Sequence, residues 1–122
     1  MLGRLKSMFS TTSEAVALPK NAVPMPEAGD GAYVLMDFPA MEALEEALGP
    51  SYWSICEHGF IGPSALIISR ALAVCLHGGE PDEAPWGLSL QEVGRRLYDA
   101  QVRALRGITL EEAIALVEEA KE

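Results

Sequence analysis

The sequence predicts a mainly α fold: a small bundle of about five helices with a short β lead-in and a flexible N-terminal arm. Three observations carry this expectation. Half of the 122 residues are hydrophobic but only 7% are aromatic, which favours a core of Leu, Ile, Val and Ala on helices over an all-β core. Apolar residues recur at helical spacing in several separate stretches. Those stretches are bounded by cap and terminator residues. At this length the chain forms one domain with room for a core that needs no staples.

Residues 1–30 are expected to form an arm and residues 31–122 the helical domain. The arm holds Ser10 to Ser13, then Pro19, Pro24 and Pro26, then Gly29-Asp30-Gly31, a density of breakers that no core-facing period survives. Leu2, Leu5, Met8 and Phe9 fall at helical spacing, as a frayed terminal turn or as an anchor for a partner or membrane. No apolar signal region follows Arg4 and Lys6, so no signal peptide is expected. Ala32 to Met36 reads as a short strand. One strand alone is unstable, and a partner is expected around Ala15 to Leu18.

Asp37 is the expected N-cap of the first helix, with Pro39 in its opening turn and Gly49-Pro50 as its stop. Phe38, Met41, Leu44, Ala47 and Leu48 form its apolar face; Glu42, Glu45 and Glu46 take the wet side. A second helix is expected from Tyr52 to His58, capped by Ser51 and terminated by Gly59. The third, Pro63 to Leu76, starts at Gly62-Pro63 and ends before His77-Gly78-Gly79. Its composition is apolar all round except Ser69 and Arg70, which predicts burial all round. It is too short to cross a bilayer, which takes about 20 residues.

Gly78 to Gly87 is an acidic exposed loop from which Trp86 folds back onto the bundle. Ser89-Leu90-Gln91-Glu92 opens a fourth helix, Leu90 to Arg106, with a capping box in which hydroxyl and carboxylate each satisfy a free backbone N–H. Thr109-Leu110-Glu111-Glu112 repeats the device for a fifth, Leu110 to about Ala120, beyond Gly107. Leu90, Val93, Leu97 and Leu105, then Leu110, Ala113, Ile114 and Val117, are the expected buried residues.

The net charge of −9 lacks the basic footprint that general nucleic-acid binding requires. With no transmembrane run, the expectation is a cytoplasmic, acidic protein with reduced cysteines; a Cys56–Cys75 disulfide is the alternative. Arg95, Arg96, Arg103 and Arg106 concentrate on the fourth helix. They either pair with the acidic first helix and the helix dipole, or form a stripe for an acidic partner segment. Arg70, inside an apolar helix, calls for a buried carboxylate or an interface.

Cys56-x-His58 and Cys75-x-His77 hold zinc-ligand types, but residues two apart on a helix point about 200° apart. A site closes only if both histidines lie beyond the helix ends, and no metal is expected. Ser64 and Ser69 have no base beside them and no nucleophile elbow, and Gly78-Gly79-Glu80-Pro81 lacks the lysine and helix of a phosphate loop. The expectation is no enzyme, no catalytic residues and no cofactor.

Phe38-Pro39-Ala40-Met41-Glu42-Ala43-Leu44-Glu45-Glu46-Ala47-Leu48-Gly49 gives, after a β lead-in, a helix of the form apolar, acidic pair, Leu-Gly. A brief aromatic helix follows, then the Ala/Ile/Leu-rich helix Ala65 to Gly79, then Leu88-Ser89-Leu90-Gln91-Glu92-Val93-Gly94. Over residues 32–106 this order resembles the small tail assembly chaperones of phages and gene transfer agents. The proline-rich start is longer than the family's, and residues 108–122 are charged where the family tends to an apolar run. The resemblance implies binding of the tape-measure protein and tail-tube subunits during tail assembly, by protein–protein interaction. A partner groove is expected at Trp53, Phe60 and Trp86, with Arg95, Arg96, Arg103 and Arg106 at its rim. The alternatives are a small regulatory or adaptor protein of phage or bacterial origin and a minor structural subunit of the tail; homo-oligomerisation stays open.

Overall fold

The computed structural model describes residues 18–83 and 86–121. The segment Leu2 to Phe9, with its helical spacing, and most of the expected strand partner Ala15 to Leu18 lie outside the described residues. The strand partners are found elsewhere. β1 (Val23–Pro24), β2 (Tyr33–Val34) and β3 (Leu76–His77) form an antiparallel sheet with β2 in the middle, Val34 standing opposite both Val23 and Leu76. The Tyr33 ring stacks on His77, centroids 5.0 Å apart.

This sheet corrects the boundary expected at residue 31. Ala22, Val23 and Met25 are buried, Met25 completely, so the domain includes residues that were expected in the arm. The prolines that forbid a helix there do not forbid extended chain. Pro24 stands on an edge strand, where a missing N–H is tolerated, and Pro26 opens a 3-10 turn, Pro26–Ala28.

The first helix, α1 (Phe38–Leu48), starts where expected: Asp37 Oδ1 accepts from the Ala40 N–H at 3.0 Å. Ala40 and Leu44 set its inward face. Phe38, expected in that face, is 79% exposed, because it lies two residues, about 200°, round the helix from Ala40. Ala47 is exposed as well.

The second helix, α2 (Tyr52–Ile61), runs through Gly59 instead of ending there. Gly59 is a contact point: a Cβ on it would stand 2.6 Å from Ile67 Cγ2 of the next helix. That helix, α3 (Ala65–Cys75), is capped by Ser64, whose Oγ accepts from the Ile67 N–H at 3.3 Å, not by Gly62-Pro63. It is not wrapped on all sides. Ile68, Ala71, Leu72 and Cys75 are buried, while Leu66, Arg70 and Ala73 are exposed. The i, i+3, i+4, i+7 stripe alone faces the core, and small apolar residues are tolerated on the outer face as on most protein surfaces. Arg70 needs no buried partner because it is solvated. Leu76 leaves α3 directly in extended conformation (φ −81°, ψ 131°) and begins β3.

The fourth helix, α4 (Leu90–Arg106), and the fifth, α5 (Leu110–Lys121), have the expected starts and meet at Gly107, whose φ of +74° is the left-handed stop that favours glycine. The Thr109 box closes both ways, with Glu112 accepting from Thr109 N–H at 2.8 Å and Thr109 Oγ1 from Glu112 N–H at 3.0 Å. At the α4 start only the Ser89 half forms, at 3.0 Å; Arg95 and Arg96 take the Glu92 carboxylate. α4 crosses α2 at Gly94, where a Cβ would run into the Phe60 carbonyl oxygen.

The core gathers Met25, Val34, Leu44, Phe60, Ile68, Leu72 and Leu97 from the sheet and the first four helices. Trp86 packs on its margin. Cys56 and Cys75 are free and buried; burial pushes the first thiol to about 11 and the second to about 12. No single helix among the described residues is long and apolar enough to cross a membrane; α2 and α3 reach that length only together, across a 115° bend.

Candidate functional site

A helix that ends a bundle has one neighbour fewer than the others, and its apolar stripe is covered only in part. α5 shows this. Leu110 and Ala113 are buried with Val102 of α4, but the next two members of the stripe, Ile114 and Val117, are 50% and 53% exposed. Leu105 of α4 and Ile61 of α2 are 65% and 55% exposed. Leu105, Ile114 and Val117 were expected in the core, and that expectation is corrected here.

These side chains line one groove of about 640 Å³ between α2, α4 and α5. Trp53 and Ile61 form its α2 wall, Leu105 its α4 wall, Ile114 and Val117 its α5 wall. Glu57, Arg106, Glu118 and Lys121 add charge of both signs. Under the groove, Gln101 Nε2 donates to the Trp53 carbonyl at 2.9 Å and ties α4 to α2. Tyr98 reaches Glu57 at 3.5 Å; burial and then the Glu57 carboxylate push its phenol upward. The groove therefore has rigid floor contacts, an aliphatic lining and a charged margin. That is a surface suited to another apolar face.

The residues expected to bind a partner do not converge. Trp53 and Arg106 line the groove; Phe60 and Arg95 border a separate cleft of about 300 Å³. Phe60 is almost wholly buried, because it is the floor on which α4 crosses. Trp86 lines neither cavity and donates through Nε1 to the Glu80 carbonyl at 3.1 Å. Arg96 clamps Glu27 at 2.6 and 3.2 Å and Glu92 at 2.8 Å, and Arg103 pairs with Asp99 at 3.0 Å. These are intramolecular pairs, but with the same helix and the N-terminal lead-in, not with acidic α1. Hydrogen bonding to Arg96 lowers Glu27, and hydrogen bonding to Arg95 and Arg96 holds Glu92 at about 2.

His77 does lie beyond its helix, on β3, whereas His58 stays within α2, its Nδ1 2.9 Å from the Ser54 carbonyl. Among the described residues no three His, Cys, Asp or Glu side chains come together as metal ligands. Comparison of the chain with protein-family models, curated proteins and solved structures finds no match in any of the three.

Proposed function

We propose that the chain is a tail assembly chaperone of the phage and gene-transfer-agent kind, holding an apolar helical segment of a tape-measure protein until the tail tube encloses it. The observation that carries this reading is the groove between α2, α4 and α5, where Ile61, Leu105, Ile114 and Val117 stand half open along one line of contact. An amphipathic helix presenting aliphatic side chains at i, i+3 or i+4, and i+7 fills such a groove. The likeness of residues 32–106 to those chaperones supplies the tape-measure protein as partner. The net charge of −9 keeps a complex with exposed apolar surface soluble.

Capture of overlapping tape-measure fragments by the tagged full chain tests it. The wild-type chain is expected to retain a fragment, and Leu105→Glu with Val117→Glu to weaken retention at least about tenfold, since each aliphatic contact contributes about 1.5–3 kcal/mol when fully buried. Circular dichroism checks that the variant keeps its helices. Undiminished capture by the folded variant overturns the placement, and no captured fragment overturns the function.

A further inference from the structure

The groove lies open along the helix that has least to hold it. We infer that, until a partner helix arrives, the groove is filled by α5 of a second copy of this chain, in an antiparallel two-fold dimer. The inference rests on the reading of the groove as a docking surface and adds what occupies it beforehand.

The uncovered helix comes first. α5 has 12 residues, a length at which a helix is marginal in water without tertiary packing. Leu110 and Ala113 pack with Val102 of α4, but from Ile114 to Lys121 every residue is exposed. Ile114, Leu116 and Val117 are 50%, 55% and 53% exposed there. Two turns of helix thus stand without cover, and each copy offers the other the same aliphatic stripe and the same gap.

Charge chooses the occupant. Each chain carries −9, so two copies repel unless they meet where charge is locally balanced. At α1 they would set exposed Glu42, Glu45 and Glu46 against the same three acids. At the groove, Glu57 and Glu118 are matched by Arg106 and Lys121. That neutral margin is its own complement, as a two-fold contact requires. A margin of one sign would instead select a partner of the opposite sign.

Register follows from the spacing. Antiparallel pairing that sets Ile114 on Val117 of the second copy also sets Val117 on the second copy's Ile114. Glu111 lies three residues before Ile114 and Lys121 four after Val117. Each Glu111 therefore comes beside the Lys121 of the other copy. Within one chain these two are ten residues apart, about 15 Å along α5. Neither is ion-paired among the described residues. The pairing is open only between copies, and the two-fold axis makes it twice.

Sedimentation velocity of the full chain tests this. The wild type is expected to run as a dimer, at about twice 13.1 kDa, in the micromolar range. Glu111→Lys and Lys121→Glu each turn two attractions into two repulsions, and each is expected to weaken the dimer about tenfold. Mixing the two variants in equal amounts restores opposite charges at both contacts, and a mixed dimer of wild-type strength is expected. Helix lost through either substitution is not repaired by mixing, so restoration reads the contact itself. A monomeric wild type overturns the inference, as does a dimer that the single variants leave unchanged or that mixing does not restore. A captured tape-measure fragment is expected to split the dimer, and a fragment held in the groove of an intact dimer overturns the shared site. Fragment capture by a chain that sediments as a monomer ends this inference alone. A dimer restored by mixing, with no captured fragment, ends the partner reading alone.

Discussion

The Asp99 carboxylate accepts from the Leu110 backbone N–H at 2.9 Å, across the turn that separates α4 from α5. Arg103 holds both oxygens of the same carboxylate, at 3.0 and 3.2 Å, and passes a third bond to the Ala22 carbonyl at 2.9 Å. Leu110 N–H is one of the donors that a helix leaves without an internal partner at its start, and an anion there is favoured. One buried acid therefore fixes the angle at which α5 leaves α4, and with it one wall of the groove.

Asp99→Ala is expected to destabilise the fold by about 2–3 kcal/mol, the range for a lost hydrogen bond to a charged group that leaves its partners stranded. Urea denaturation measures this. Hydrogen exchange is expected to show the loss of protection concentrated in the first turn of α5, and uniform loss across the core would contradict this placement of the acid.

Gly94→Ala sets two effects against each other. Alanine improves an exposed helix interior by about 1 kcal/mol. Here its methyl meets the Phe60 carbonyl oxygen and, at 3.2 Å, Ile68 Cδ1, and overpacking costs about 1–3 kcal/mol. Backbone of a neighbouring helix cannot swing aside as a side chain does. The steric cost is expected to win, lowering Tm by several degrees in a thermal melt; an unchanged or raised Tm would show that α2 and α4 separate easily.

Glu92 provides a pH test. Hydrogen bonds from Arg95 and Arg96 hold it at about 2, against about 4.3 in an unfolded chain. The unfolded chain therefore takes up the proton first as pH falls, and the stabilisation, complete above about 4.3, is lost between there and 2. Arg95 is half exposed and Glu92 about a third, so solvent screens the cluster even though Arg96 is largely covered, which keeps the effect to about 1 kcal/mol. The stability gap between wild type and Glu92→Gln, measured by urea titration, is expected to shrink as the pH drops from 6 to 3. A constant gap would mean the arginines do not hold the carboxylate.

Local chemistry was legible at four helix ends, though not at Gly59, which α2 runs through, nor at Gly62-Pro63, where Ser64 is the cap. Asp37, Ser89, Thr109 and Gly107 mark helix ends that the structure places at those same residues. What escaped depends on which apolar faces find a cover. Leu105, Ile114 and Val117 have the same spacing as Leu97 and Leu110, yet the first three are exposed and the last two buried, because nothing described packs beyond α5. Met25 was missed for the opposite reason: proline-rich surroundings hide a residue that two strands and α4 enclose. Composition also misled at α3, where alanine on an outer face reads like alanine in a core. The arginines were legible as a cluster but not as a network, since Glu27 is 69 residues from Arg96 in sequence.

No residue intervenes between the end of α3 at Cys75 and the start of β3 at Leu76. The Cys75 carbonyl still takes part in the sheet's edge, accepting from the Leu35 N–H at 3.0 Å. Helix and strand are thus a single lever with no slack in it. Any roll of the helix under load shears the Val34–Leu76 pairing and, through the middle strand, disturbs the seat of Met25. A force that turns α3 is therefore carried into the sheet through backbone alone, with no hinge between them.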